Sequence, residues 1–348
     1  MDVTGQLLDR ARSGDGEAFA ELTGVFRREL QVHCYRILGS AADAEDMLQE
    51  TMMAAWRGLD RFEGRASLRT WLHAIATNKC LNHLRAARSL PAYTPEVPLP
   101  EPTRSGEPLW LEPYPDALLG DLPDAAPGPE ARYEARESVS LAFVTALQYL
   151  PPRQRAALVL RDALGFRAAE TAAILGCTVD AANNLLKRAR ATIARHLPPG
   201  GRDEAPLPGS AREHQITTRF ADAFEQGDVR AIVALLTSDA WLTMPPLPFE
   251  YHGRDAVGHF LDAVSFRRGT RRSRLVPTRA NGQAAFARYL PDPHVPVGHA
   301  HGLLVLTLAG DRICGITGFI DNSVLGRFGL PRTLPNRPIT SATRPRPH

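Results

Sequence analysis

Cysteine is scarce. Cys34, Cys80, Cys177 and Cys314 are the four in 348 residues, none belongs to a CxxC pair, and no histidine cluster stands beside one. Such spacing excludes a disulfide framework or a zinc site as the organising element and points to a reducing compartment. No apolar run approaches the ~18 residues of a membrane span. The opening Met1-Asp2-Val3-Thr4 has no signal-peptide character, so a cytoplasmic chain without membrane contact is expected. Lysine is nearly absent: Lys79 and Lys187 are two of 41 basic residues, which reads as the coding bias of a GC-rich genome. A charge excess is missing too, since 41 basic against 38 acidic side chains leave +3. With 44% hydrophobic and 23% charged residues the composition is that of ordinary globular protein, neither collagenous nor wholly disordered. The length implies two or three domains.

The small total conceals an uneven distribution. Residues 1–88 carry 12 basic and 12 acidic side chains, 89–130 carry one (Arg104) against eight, 131–200 ten against five, and 201–348 18 against 13. A stretch of net −7 thus separates a neutral segment from two of +5 each, which points to segments with different partners. The acidic stretch holds 11 prolines in 42 positions, from Pro91 to Pro129. Proline removes backbone donors and restricts its predecessor, so neither a helix nor a central strand is expected there, and an extended tether is the default. Within it, Leu109-Trp110-Leu111-Glu112-Pro113-Tyr114-Pro115-Asp116 is oddly apolar for a solvated linker; a spacer that packs locally and a docking peptide both fit. A second break runs from Pro198-Pro199-Gly200-Gly201 to Pro208-Gly209, and the Pro- and Arg-rich end reads as a disordered tail. The expected divisions are 1–88, a linker over 89–130, 131–197, a linker over 198–210, 211–331, and a tail over 332–348.

Both segments flanking the acidic stretch show helical spacing. Leu48, Met52, Ala55 and Leu59 form one stripe facing a core, with Asp46, Gln49, Glu50 and Met53 on another face. After residue 211 helical stretches (about 213–226, 229–237 and 254–265) mix with β-rich runs at Trp241–Met244, Leu275–Ala280, Gln283–Leu290, Gly302–Leu308 and Ile313–Ile320. Asn281-Gly282 between two of these is a hairpin signal. The fold class expected is multidomain: two all-α domains joined by a Pro-rich linker, then an α+β domain.

The clearest motif is a helix-turn-helix. Phe166–Leu175 predicts a short helix, Gly176-Cys177-Thr178 a tight turn, and Val179–Arg195 a second helix capped by Thr178. On that helix Ala182, Leu185, Leu186, Ala189 and Ile193 face inward. Asp180, Asn183, Asn184, Lys187 and Arg188 point outward, toward where a major groove would lie. An ordinary helical hairpin with a solvated face is the plainer alternative. In the first segment, Arg61, Phe62, Arg65, Ser67, Arg69, Thr70 and Trp71 gather cations, hydroxyls and aromatics around a loop and helix start. Asn78, Lys79, Asn82, Arg85 and Arg88 follow. Aromatic and guanidinium planes beside cations suit unstacked bases of a single strand, although Phe62 and Trp71 also fit a core.

Asp43-Ala44-Glu45-Asp46-Met47-Leu48-Gln49-Glu50-Thr51, Trp56, Phe62–Trp71, Leu150-Pro151-Pro152-Arg153-Gln154-Arg155 and the helix-turn-helix together resemble the sigma-70 family of bacterial RNA polymerase sigma factors, extracytoplasmic-function type, over about residues 1–197. The resemblance implies that Asp43, Asp46, Gln49, Glu50 and Met53 dock on the coiled coil of the largest polymerase subunit, with the polymerase flap as a further contact. It implies that Arg61–Trp71 and the polar residues up to Arg88 melt and hold the −10 strand. Arg161, Thr178, Asp180, Asn183, Asn184, Lys187 and Arg188 would read the −35 duplex. Many relatives are more basic where this helix has Asn183 and Leu185, so its base preference does not carry over. The acidic linker would thread the RNA path of the polymerase as a nucleic-acid mimic.

Residues 211–331 resemble the SnoaL-like group of the nuclear-transport-factor-2-like fold, a cone of bent sheet over helices. The carrying residues are Phe220-Ala221-Asp222-Ala223-Phe224 with Gly227-Asp228, Trp241-Leu242-Thr243-Met244-Pro245-Pro246, and Gly253-Arg254. Such an extension implies regulation of polymerase binding from within the chain. Trp241, Met244, Phe249 and Phe260 would line a pocket for a small ligand or pack as plain core, and an intramolecular contact is the other implied use of the domain. For turnover the candidates are His252, Asp255, His259, His294, His299, His301 and Asp321. No cofactor and no metal are expected. A stand-alone ligand-responsive helix-turn-helix regulator and a cyclase-like enzyme with a DNA-binding module remain as other readings.

Overall fold

The computed structural model describes residues 3–86, 98–106, 109–119, 139–196, 205–266 and 273–335. Arg88, most of the acidic stretch and the last residues of the chain lie outside that set. The first domain is four helices: α1 (Val3–Arg12), α2 (Gly16–Leu38), α3 (Ala41–Gly58) and α4 (Leu68–Ala86). Asp15 starts α2 by accepting from Glu17 N at 3.0 Å and Ala18 N at 3.1 Å. Gly39 ends it at φ 72°, where a left-handed residue is needed. Ser40 then caps α3, which buries Ala44, Leu48, Met52 and Ala55 along the expected stripe. Leu59 also lies buried, in the one-turn 3₁₀ segment Leu59–Arg61.

The acidic stretch departs from the tether expected. Arg104–Ser105 form a short strand (β1) and Asp116–Leu119 a one-turn helix (α5). Both are compatible with proline chemistry, because β1 takes the edge of a sheet and Asp116-Ala117-Leu118-Leu119 follows the last local proline. Leu111 and Tyr114 are buried, so this apolar stretch is docked rather than solvated.

The second domain holds α6 (Leu141–Gln148), α7 (Pro152–Leu158), a π-helical turn at Val159–Ala163, α8 (Ala168–Leu175) and α9 (Val179–His196). The turn between the last two is as expected: Gly176 has φ 58° and Thr178 Oγ1 accepts from Ala181 N at 3.2 Å.

The C-terminal domain opens with α10 (Ala211–Gln226) and α11 (Val229–Leu235). It continues through β2 (Leu236–Thr243), β3 (Phe249–His252), α12 (Arg254–Phe260) with a π-helical extension to Ser265, β4 (Arg274–Ala280), β5 (Gln283–Pro291), β6 (Val297–Ala309), β7 (Arg312–Phe319) and β8 (Thr333–Pro335). Among the described residues the sheet order is β1-β3-β2-β7-β6-β5-β4, with β8 added on β6 and only β2–β7 parallel. The Asn281-Gly282 turn has φ 57° and 73°, the primed geometry that suits a two-residue hairpin. One expectation changes here: residues 333–335 are strand rather than tail. His299 and His301 stand on β6.

The sheet separates two cores. Its inner face packs Phe286, Leu306 and Ile316 against Phe220, Phe224 and Phe260 of the helices. Its outer face, with Ala285, Ala287, Tyr289, Leu303, Val305 and Phe319, joins Cys34, Tyr35 and Leu38 of α2, Leu111 and Tyr114 of the linker, and Val139, Leu141 and Val144 of the second domain in one cluster. The three domains and the linker therefore share a single hydrophobic core.

Candidate nucleic-acid interface

On α3 the side chains of Asp46, Gln49, Glu50 and Met53 are exposed, as the stripe analysis requires. They form one wall of an open groove of about 530 Å³ whose other wall is Lys79, Asn82 and His83 of α4. Lys79 Nζ donates to Glu50 Oε2 at 2.8 Å and holds that carboxyl below its ordinary range. His83 Nε2 lies 3.6 Å from Asp43 Oδ2. Lys79 and Asn82, expected on a surface apart from the acids, thus line the same groove with them, because α4 packs beside α3.

The loop before α4 and its first turn form a second surface. Ser67 Oγ accepts from Thr70 N at 3.1 Å and so starts α4. Phe62 is buried against Trp71, with ring centroids 5.0 Å apart, and Arg12 donates to the Phe62 carbonyl. Arg61, Arg65, Ser67, Asn78, Asn82 and Arg85 stay exposed, Arg65 beside Glu63. Arg69 and Thr70 do not. The Arg69 guanidinium pairs with Glu29, lies 4.4 Å from the centroid of the Phe166 ring and donates to the Leu164 carbonyl at 3.1 Å. Thr70 Oγ1 donates to Glu170 Oε1 at 3.4 Å. The second domain is therefore seated on the helix start of the first.

On α9, Asp180, Asn183, Asn184, Lys187 and Arg188 are exposed over buried Ala182, Leu186, Ala189 and Ile193, with Leu185 half-buried. Thr178 is exposed at the turn. Arg161 is occupied differently: it donates to the Phe166 carbonyl at 2.6 Å and its Nε is buried, so it braces the turn before α8.

Residues 25–90 match the sigma-70 region 2 family, residues 140–193 the sigma-70 region 4 family, and residues 217–316 the SnoaL-like domain family. The extracytoplasmic-function RNA polymerase sigma factor SigG of Mycobacterium tuberculosis is 40% identical over 331 residues, 93% of this chain and 86% of that one. The chain belongs to the extracytoplasmic-function sigma factors. SigJ of the same organism is 31% identical over 252 residues, 70% of this chain and 72% of its own length. The crystal structure of SigJ shares the fold, with a TM-score of 0.58 at 22% identity over 90% of this chain and 99% of that one. As a sigma factor the chain directs RNA polymerase to promoters, and its SnoaL-like domain shares one core with the sigma domains.

The residues that join sigma region 2, the linker, region 4 and the SnoaL-like domain are ones that local spacing does not reveal. Asn281 Nδ2 donates to Tyr35 Oη at 2.8 Å and to the Val139 carbonyl at 2.7 Å, and its Oδ1 accepts from Tyr114 N at 2.8 Å. Glu112 Oε2 accepts from Ala41 N at 3.0 Å and Ala42 N at 3.1 Å, at the N-terminus of α3, with Arg327 3.6 Å away. Arg155 is buried and donates to the Ile37 carbonyl and to Gln148 Oε1; burial pushes its guanidinium down to about 10. Arg279 bridges Asp116 at 3.2 Å and Glu213 at 2.8 Å. The side chains expected to line a ligand pocket are placed as core: Met244 and Phe260 are buried, Phe249 packs at the margin, and Trp241 covers Gly315 so closely that a Cβ there would meet its ring at 2.4 Å.

Proposed function

We propose that the sigma factor docks on the largest polymerase subunit through Asp43, Asp46, Gln49, Glu50 and Met53. Arg61, Arg65, Arg69, Thr70 and Trp71, with Asn78, Asn82 and Arg85, hold the −10 strand, and Thr178, Asp180, Asn183, Asn184, Lys187 and Arg188 read the −35 duplex. One observation carries this reading: α3 and α9 each turn a polar set outward over a buried apolar stripe, on two separate domains. The SnoaL-like domain modulates activity by gripping both sigma domains rather than by turnover. Its titratable groups support contact over catalysis, because they are dispersed: His252 pairs with Glu250 on β3 at 3.0 Å, His299 pairs with Asp292 at 3.0 Å, and Asp321 caps the turn after β7. The site of action is the cytoplasm, with polymerase. Replacing Asp46 and Glu50 by Ala tests the docking assignment. Core binding should weaken in a pull-down, and unchanged affinity would contradict it.

A further inference from the structure

Sigma regions 2 and 4 meet at the strand-holding residues themselves, and the chemistry of that contact is specific. A single-stranded nucleic acid is held by stacking a base on an aromatic or guanidinium plane and by donating hydrogen bonds to backbone oxygens. Arg69 and Thr70 already have partners of those kinds. The Arg69 guanidinium carbon stands over the Phe166 ring, 4.4 Å from its centroid, in a cation–π contact, the Leu164 carbonyl oxygen accepts from Arg69 Nη2 at 3.1 Å, and the Glu170 carboxylate accepts from Thr70 at 3.4 Å. His73, at the same surface, adds an edge contact to the Phe166 ring at 5.0 Å. All three occupants come from one short segment, the turn leading into the first helix of the helix-turn-helix. Of the same element, Arg61, Arg65, Asn78 and Asn82 remain exposed.

We propose that residues 164–170 are a built-in stand-in for the −10 strand: Phe166 takes the place of a base on Arg69, and the Leu164 carbonyl and Glu170 carboxylate take the places of backbone oxygens on Arg69 and Thr70. The inference rests on the reading of Arg61–Trp71 as strand-holding. Its consequence is direct competition. A single strand entering the site displaces region 4, and region 4 seated in the site keeps the strand out until promoter engagement pulls the two domains apart.

The test uses the full chain with core polymerase and a short mixed-sequence DNA single strand as probe. Fluorescent labels on cysteines placed at positions 25 and 194, both exposed and outside the proposed DNA-contact sets, with Cys177 and Cys314 changed to serine, report the distance between the domains. Titrating the strand should separate the labels. In parallel Glu170→Gln, which keeps the hydrogen bond that caps α8 at Arg167 N but removes the charge, should raise strand affinity by about fivefold, the size of a 1 kcal/mol change. Strand binding with an unchanged label distance, or a Glu170→Gln affinity equal to that of the parent, overturns the competition while leaving the strand assignment intact. No strand binding by either protein overturns the strand assignment and the competition with it. Because Phe166 is buried in the fold, Phe166→Leu serves only as a supporting variant; it should shift affinity in the same direction.

Discussion

Three side-chain hydrogen bonds converge on Asn281, which is wholly buried and holds φ 57° at a hairpin turn. Replacing it by Ala leaves the Tyr114 N–H, the Tyr35 hydroxyl and the Val139 carbonyl without that partner and places a Cβ in a left-handed conformation that asparagine tolerates better. A loss of about 3 kcal/mol is expected in urea unfolding, and a loss below about 0.5 kcal/mol would show that solvent or neighbours replace the amide. His73 supplies a pH prediction. Burial pushes its imidazole down to about 4, outweighing the Glu29 carboxylate 3.5 Å from Nε2, while the nearby Arg69 and Arg36 add to the lowering. His33, against which it packs at 5.2 Å, is held well below its ordinary value, first by burial and then by the charge of His73 and the two arginines. Both rings are neutral in the fold, whereas the unfolded chain takes up protons near pH 6.5. Stability should thus be flat above that value and fall as the pH drops from about 6.5 to 4, by about 3 kcal/mol for His73 across the whole window. The part of the slope between about pH 5 and 7, above the carboxylate range, should shrink in His73→Gln when urea midpoints are compared.

At the scale of elements, α9 makes the sharpest separation between kinds of contact. Lys187 is exposed on its outward face and suits a phosphate, so Lys187→Ala should weaken duplex binding about equally for all sequences and lower the salt slope by about 1. Asn184, also exposed there, is suited to an adenine edge, and Asn184→Ala should change base preference at one position in a binding-site selection. This helix and the turn before it were legible in the sequence, because Gly176 and Thr178 punctuate an amphipathic repeat and all the information is local. The strands read from β-rich runs, β4 to β7, were legible for the same reason. β3 was hidden by Pro245, Pro246 and Pro248 just before it, and β8 by its own Pro335 at the chain's Pro-rich end. The docking of Leu111 and Tyr114 showed only as misplaced apolarity in an acidic stretch. Asn281 was visible as a turn residue, but the three segments its amide binds are from 142 to 246 positions away, which no local spacing encodes. Arg69 was readable as a cation of the proposed strand site; its partners Leu164 and Phe166, from the other sigma domain, were not.

On the proposed assignments, the whole molecule is closed with respect to DNA and open with respect to polymerase. Elements named −10 and −35 lie about 25 base pairs apart, roughly 80 Å along a duplex, yet Thr70 of the proposed −10 reader touches Glu170 beside the proposed −35 reader at 3.4 Å. The two cannot be read together in this arrangement, whereas Asp46, Gln49, Glu50 and Met53 on α3 are exposed. On that reading, polymerase docking precedes separation of the sigma domains, and the SnoaL-like domain would act on that separation because its outer sheet face belongs to the same core as α2, the linker and α6. Deleting residues 205–348 follows this logic to a double outcome. Tyr35, Leu111, Tyr114, Val139 and Leu141 would lose the apolar face they pack on, so the truncated chain should be less soluble and melt at a lower temperature than the parent. Its affinity for core polymerase should change little, since the α3 groove is built from α3 and α4 alone, while promoter-dependent transcription in vitro should change clearly. Identical transcription from full-length and truncated proteins under all conditions would remove the regulatory role of the domain. A large loss of core affinity in a truncated chain that remains folded would instead place that role at the docking step.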